Sequence, residues 1–255
     1  MTRIVDLSKT IEYKKADPWF MRIKIKNKPH RKAFVLIRYF LKLPAKLFPK
    51  DFVGWADDTI KKMGVHSSTH IDAPWHYSPT VAGQPAKTID QVPLDWCYGD
   101  GVVINMSHKP DFEEITVDDL KDDLQKNNIT LQKGNIVLIR TDRDKLQGED
   151  FVDKGTGMSK EATEWLIDQG IKVMGIDQWG WDLPLRYLVK EAKRTNNPDL
   201  FWQAHLVGKD KEYCHMEQLT NLSALPANGF KVAVFPLKIK GASAAPARVV
   251  AIFDE

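Results

Sequence analysis

Between positions 66 and 76 the chain reads His66-Ser67-Ser68-Thr69-His70-Ile71-Asp72-Ala73-Pro74-Trp75-His76. His66, His70, Asp72 and His76 offer imidazole nitrogen or carboxylate oxygen, the donors that Zn²⁺, Mn²⁺ and Fe²⁺ take. All four stand an even number of positions apart. In extended backbone successive side chains alternate between faces, so the four would share one side while Ile71, Ala73 and Trp75 pack on the other. Pro74 and Pro79 argue against a helix across the segment. Unrelated surface or core histidines have no reason to keep such a register. A structural zinc site would favour cysteine and close its fourth position, and no cysteine is among these donors. By itself the segment implies a bound divalent ion and no particular reaction.

The elements that must position this segment are strands alternating with helices. Arg3–Leu7 reads as a short strand, and Met21–Lys26 alternates apolar and basic residues as a half-exposed strand does. Ala33–Leu43 reads as an amphipathic helix that stops before Pro44. Asp57–Met63 reads as a short helix ending at Gly64. Further strands are expected at Gly101–Met106, Asn135–Arg140, Ile171–Ile176, Phe230–Phe235 and Arg248–Phe253. Helices are expected at Thr116–Lys126 and from the Ser159 cap through Asp168, closed by Gly170. The class is therefore α/β or mixed α+β. No glycine-rich phosphate loop follows any strand; Gly155-Thr156-Gly157 lacks the spacing and the lysine.

The net charge of +3 hides a strong asymmetry. From Lys14 to Lys50 there are twelve Lys or Arg and one acid, Asp17, which makes that stretch +11 and leaves −8 for the rest. Such a block is either a solvated face or a contact surface, for instance between subunits of a homo-oligomer (a dimer or tetramer). It carries no groove-reading motif, so nucleic acid is not an expected partner. The first residues have no apolar signal run, and no stretch of about 18 apolar residues exists to span a membrane. The two cysteines, Cys97 and Cys214, form no CxxC and are read as reduced thiols of a cytoplasmic protein.

The segment His66–His76 resembles the motif His-x-Gly-Thr-His-x-Asp-x-Pro-x-His of the cyclase-like metal-dependent hydrolases, which include bacterial kynurenine formamidase and isatin hydrolase. Ser68 stands where that family usually has glycine. The resemblance continues in Asp6-Leu7-Ser8, in Gly175-Ile176-Asp177, in His205 and Glu217 twelve positions apart, and in the ending Ala244-Ala245-Pro246-Ala247-Arg248. It covers nearly the whole chain except much of Lys14–Lys50. What it implies is a single domain, 1–255, of swivelling β/β/α architecture with a mixed sheet and flanking helices, and a basic insertion at about 14–50. His66, His70 and Asp72 would hold a first divalent ion, Zn or Mn. His76, His205 and Glu217 would complete a second site or carry protons, with His76 and His205 as the catalytic histidines. Hydroxide would attack the carbonyl of a cyclic or aryl amide, a lactam or formamide; lactone hydrolysis, ring closure or a non-catalytic metal-binding subunit are the alternatives.

Other residues are read two ways. Trp75, Trp179 and Trp181, and equally Phe201-Trp202, either form a flat slot for a ring substrate or pack in the core. Asp177 either orients a ligand histidine or is a turn residue. Arg248 either grips a substrate carboxylate or makes a structural ion pair. His30 and His108 are surface residues. His215, two positions from Glu217, is left undecided.

Overall fold

The computed structural model describes residues 1–254. The chain divides into two compact units: residues 1–10 with 65–255, and residues 11–64. The larger unit is built on one nine-stranded mixed sheet. Its strands are β1 (Thr2–Asp6), β2 (His70–Asp72), β3 (Tyr98–Asn105), β4 (Ile136–Arg140), β5 (Val173–Ile176), β6 (Cys214–Glu217), β7 (Phe230–Ala233), β8 (Ala244–Pro246) and β9 (Val250–Asp254). The order across the sheet is β1-β9-β7-β3-β4-β5-β6-β2-β8. The central run β3-β4-β5-β6 is parallel, and every other pairing is antiparallel.

The central strands are apolar on both faces because both faces are covered. Val103, Ile136 and Leu138 point into one core with Leu7, Ile71 and Met216. Val102, Ile104, Val137 and Ile139 point into the other, under the helices Val117–Lys126 and Lys160–Asp168. The first helix opens on a reciprocal cap: Asp119 N donates to Thr116 Oγ1 at 3.3 Å, and Thr116 N donates to Asp119 Oδ2 at 2.7 Å. Ser159 caps the second, accepting from Ala162 N at 3.0 Å, and Gly170 follows its end at φ +87°. The mixed α+β class and the expected strands and helices of this unit are all present, with ends shifted by up to a few residues.

The smaller unit is a two-stranded antiparallel ribbon, Lys24–Lys26 with Thr59–Lys62, and a helix, His30–Leu41. The helix begins a turn earlier than its sequence pattern and ends sooner, at Lys42 with φ +51°. The expected helix at Asp57–Met63 is instead the strand Thr59–Lys62. Thr59 and Ile60 are β-branched, and Asp57 and Asp58 are committed to Lys28, Asp58 Oδ1 accepting its backbone N–H at 3.1 Å. Phe34, Phe48, Phe52 and Trp55 form the aromatic centre of the unit, with ring centroids 4.9–6.1 Å apart. Gly54, at φ +95°, lies so near His30 O that a Cβ would come within 2.4 Å of it. The bounds 14–50 read from charge fall inside this unit, whose helix buries only Ala33 and exposes Val35, Tyr39, Phe40 and Leu41. No helix among the described residues is long and apolar enough to cross a membrane.

Two of the ambiguous residues are resolved by the sheet. Arg248 pairs with Asp6 through two contacts of 2.9 and 2.7 Å, a structural ion pair. Asp177 touches no histidine. It ties the end of β5 to the end of β4 by accepting from Thr141 N (2.6 Å), Thr141 Oγ1 (2.7 Å) and Asp142 N (3.0 Å). Burial lifts its carboxyl from the usual 3.8 to about 6, helped by the charge of Asp144 and opposed by these three donors. A carboxyl raised in the folded state contributes most below its unfolded value and loses that contribution as pH rises through its folded value. The free energy of unfolding should therefore contain a component that falls between pH 4 and 6, and Asp177→Asn should lack it. Parallel urea-unfolding profiles for the two proteins across that range would contradict this.

Candidate metal centre

β2 lies between β6 and β8, paired with both. Its register sets Asp72 opposite His215 and His70 opposite Glu217. In an antiparallel pair directly opposed residues share a face, so four ligand-type side chains converge there. Ile71 and Met216, the residues between them, point into the core behind. The alternation read from His70 and Asp72 thus holds, and β6 supplies its mirror image.

His66 and His76 reach the same place by another route than simple alternation. Ser68 takes φ +60°, so the backbone reverses between His66 and His70. This is the position where the motif that the segment resembles carries glycine, the residue that meets a left-handed angle at no steric cost. Pro74–Tyr77 is a single helical turn with proline at its start, which brings His76 back over Asp72 at i+4. The segment is therefore strand plus turn, and not extended throughout. Thr69 works as a clip: its hydroxyl accepts from Lys9 N at 2.8 Å and donates to Gln218 O at 2.7 Å.

Asp72 is the hub. Its Oδ1 is 2.8 Å from His66 Nδ1 and 3.3 Å from His70 Nε2; its Oδ2 is 3.3 Å from His215 Nε2 and 3.6 Å from His76 Nε2. Glu217 lies 3.7 Å from His70 Nε2, 3.6 Å from His205 Nε2 and 3.2 Å from His215 Nε2. Despite these approaches both oxygens of Asp72, and His70 Nε2, are buried without a hydrogen-bond partner. The nitrogens sit at contact distance, but no N–H is aligned on the carboxylate. Buried polar atoms are normally paired. Unpaired donor atoms crowded around one centre suit a shared cation, and the donor set of nitrogen and carboxylate oxygen suits a divalent one.

The rings are held from behind. His70 Nδ1 donates to Ser68 O at 2.9 Å, and His205 Nδ1 is paired with Asp182 Oδ2, so each turns Nε2 inward. Asp182 also accepts from Ala204 N (2.8 Å) and His205 N (3.1 Å), which fixes the short helix that carries His205. His66 is reversed, with Nε2 3.0 Å from Ser243 Oγ and Nδ1 inward. The electrostatics follow from this crowding. Burial would raise the Asp72 carboxyl, but His70 and the other imidazoles hold it well below the usual range. Burial pulls His215 down, yet Asp72 and Glu217 lift it to about 9. His76 goes the other way, to about 4, because burial and its histidine neighbours outweigh Asp72.

A cavity of about 360 Å³ opens over the centre, lined by His66, His76 and Glu217 and by the aromatics Trp179, Phe201 and Trp202. Trp202 stacks on His205 at 4.1 Å. Of the tryptophans singled out in the sequence, Trp179 is on this wall. Trp181 also borders the cavity, but it is fully buried, its ring parallel to His215 at 5.1 Å and its Nε1 bonded to Thr163. Trp75 is 43% exposed and lies outside the cavity lining. Two residues at the centre were not assigned from the sequence: His215, which its spacing from Glu217 on a strand pointed to, and Asp182, for which there was no local signal.

A family model described as a putative cyclase matches residues 5–183. The chain belongs to this cyclase family. It is 28% identical over 203 residues to cyclase-like protein 2 of Arabidopsis thaliana, covering 77% of this chain and 65%, less than two thirds, of that one. It is 27% identical over 205 residues to the isatin hydrolase of Roseibium aggregatum, covering 74% and 72% of the two chains. The solved structure of isatin hydrolase A from Labrenzia aggregata bound to benzyl benzoate superposes with a TM-score of 0.71 at 25% identity, over 100% of this chain and 94% of that one.

The left-handed position gives a test. Ser68→Gly should leave unfolding within about 1 kcal/mol of wild type, since glycine meets no steric penalty there. Ser68→Val should cost about 1–3 kcal/mol, because a β-branched residue is strained at that angle. Equal urea midpoints for the two variants would remove the angle as the reason for the small residue.

Proposed function

We propose that this cyclase-family protein is a metal-dependent hydrolase that opens a cyclic or aryl amide, such as a lactam or formamide. The observation that carries the reading is the unpaired, buried Asp72 carboxylate ringed by imidazoles at the floor of an aromatic cavity. His66, His70 and Asp72 would hold a first zinc or manganese ion, and His205 and Glu217, sharing Asp72, a second. When bound there, a divalent ion supplies Lewis acidity toward a carbonyl oxygen and acidifies water.

The chain's own residues do the rest. His76, on the cavity wall with Nε2 turned toward Asp72, is neutral at pH 7 and is placed to take a proton or return it to a leaving nitrogen. Asp182 fixes the ring of His205 and with it the inward Nε2 that would hold the second ion. Trp179, Phe201 and Trp202 offer flat faces to a ring, and Pro184 and Leu185 help to keep water away. The resemblance to an isatin hydrolase, at 27% identity, supports a fused lactam among the candidates. Two buried free thiols, Cys97 and Cys214, support a reducing, cytoplasmic setting. The exposed apolar residues of the basic unit support a homo-oligomer.

The test is turnover of a panel of lactams, arylformamides and lactones before and after chelation. Activity on amides, lost on chelation and restored by Mn²⁺ or Zn²⁺, is expected. Asp72→Ala should fold and lose turnover by more than the roughly 10–100-fold typical of an outer partner of a metal ligand. Full turnover by metal-free protein would overturn the reading, and activity confined to lactones would move the substrate to the ester class.

A further inference from the structure

The side chains around Asp72 fall into two groups that differ in access. Ligand atoms of His66, Asp72 and His76 lie within 4.8 Å of one another, and both histidines border the cavity. Ligand atoms of Asp72, His205, His215 and Glu217 also lie within 4.8 Å of one another, and all four residues are buried. Asp72 belongs to both groups: Oδ1 meets His66 and His70, while Oδ2 meets His215 and, at 3.6 Å, His76.

His215 has the attributes of a ligand. Its position on β6 is forced by the register that places it opposite Asp72. Its Nε2 is 3.3 Å from Asp72 Oδ2 and 3.2 Å from Glu217 Oε1. Its Nδ1 faces Tyr77 Oη at 3.2 Å, and the same oxygen accepts the backbone N–H of His215 at 3.1 Å. The Tyr77 hydroxyl has Asp72 O at 3.5 Å as its own acceptor. One assignment satisfies all three contacts: Nδ1–H donates to Tyr77, Tyr77 donates to Asp72 O, and Nε2 faces the carboxylates, where a bound cation would take its lone pair in place of a proton. His70 and His205 show the same arrangement, with Nδ1 tied to an oxygen behind and Nε2 inward. Metal-ligating histidines are held in this way. Trp181 adds a second restraint, stacking on the His215 ring and donating its backbone N–H to Glu217 Oε1 at 3.0 Å. His215 is fully buried, so it reaches neither solvent nor a substrate in the cavity.

We propose that His215 is a metal ligand, and that Asp72, His205, His215 and Glu217 form a closed cation site behind an open one built by His66, His70 and Asp72, whose three side chains leave a position for substrate. Four protein ligands fill a tetrahedral shell and leave no position for substrate. The inner ion is then held tightly and sets the geometry of Asp72, while the outer ion exchanges and meets the substrate. The inference rests on the reading of the centre as a divalent-metal site.

The test is metal binding to the full chain, stripped by chelator and retitrated with Co²⁺, read by elemental analysis and by the visible absorption of the cobalt. Wild type should take up two ions per chain, the first tightly and with an intense four-coordinate band. His215→Phe, which keeps a ring under Trp181 but has no nitrogen, should bind one ion fewer and lose that band. Tyr77→Phe leaves the imidazole in place and should weaken the tight ion about 10–100-fold while sparing the other. It serves as the test if His215→Phe does not fold. His66→Ala should weaken only the loosely held ion. Unchanged stoichiometry and affinity in both the His215 and Tyr77 variants would make His215 a packing residue ion-paired to Glu217, and would overturn this inference while leaving the metal reading intact. Wild type that binds no metal would overturn both.

Discussion

The constraint on which the rest of the centre depends is a carboxylate buried on the strand next to the sheet's edge, with imidazoles as its only neighbours of opposite charge. Asp72 is fully buried on a strand with partners on both sides. Taking a carboxylate out of water without compensation costs several kcal/mol even after relaxation, on the order found for buried ions in real proteins. The backbone cannot relieve it, because the N–H groups of β2 are used in the sheet. Relief must come from side chains that carry or share positive charge, and five imidazoles converge there. A cation completes the same balance with fewer protons. The buried charge and the surrounding histidines are one feature, and removing either leaves the other uncompensated.

That balance holds only if the imidazoles cannot swing away. Four of them are fixed from outside the centre: His70 by Ser68 O, His205 by Asp182, His215 by Tyr77 and His66 by Ser243. Several of these holders are tied in turn. Asp182 caps the turn bearing His205, and Tyr77 stacks on Tyr213 at 4.8 Å within the second core. The ligand geometry is therefore inherited from the packing of two hydrophobic cores. A loose core would be felt at the metal centre before it was felt as unfolding.

How much of this was legible depended on the distance over which each contact is made. His70 and Asp72 could be paired from their spacing because strand alternation is local. His66 and His76 do lie beside Asp72, but not through the even register read from the sequence: a left-handed residue at Ser68 and a helical turn after Pro74 replace it. Local pattern also misread Asp57–Met63 as a helix closed by Gly64, whereas its two acids serve Lys28 and the segment is a strand. His205 and Glu217 came from resemblance, not from pattern. Asp182 and Tyr77 act on residues 23 and 138 positions away. No window of sequence contains both partners, so only the sheet order and the chain's return path could bring them into view.

The same division separates the chemistry from its specificity. The candidate ligands sit on β2, β6 and the turns joined to them, whereas Trp179, after β5, and Phe201 and Trp202, ahead of the short His205 helix, line the cavity from bends beyond the strands. Trp202 bridges the two, stacked on His205 while its backbone holds a left-handed angle of +57°. A change at Trp179 alters the wall without disturbing Asp72, because no hydrogen bond links that side chain to the centre. A change at Trp202 reaches a ligand ring directly. The cavity wall can therefore vary through the loop after β5 while the cluster around Asp72 stays fixed, and the face stacked on His205 is the part of the wall that cannot be varied without moving a ring of that cluster.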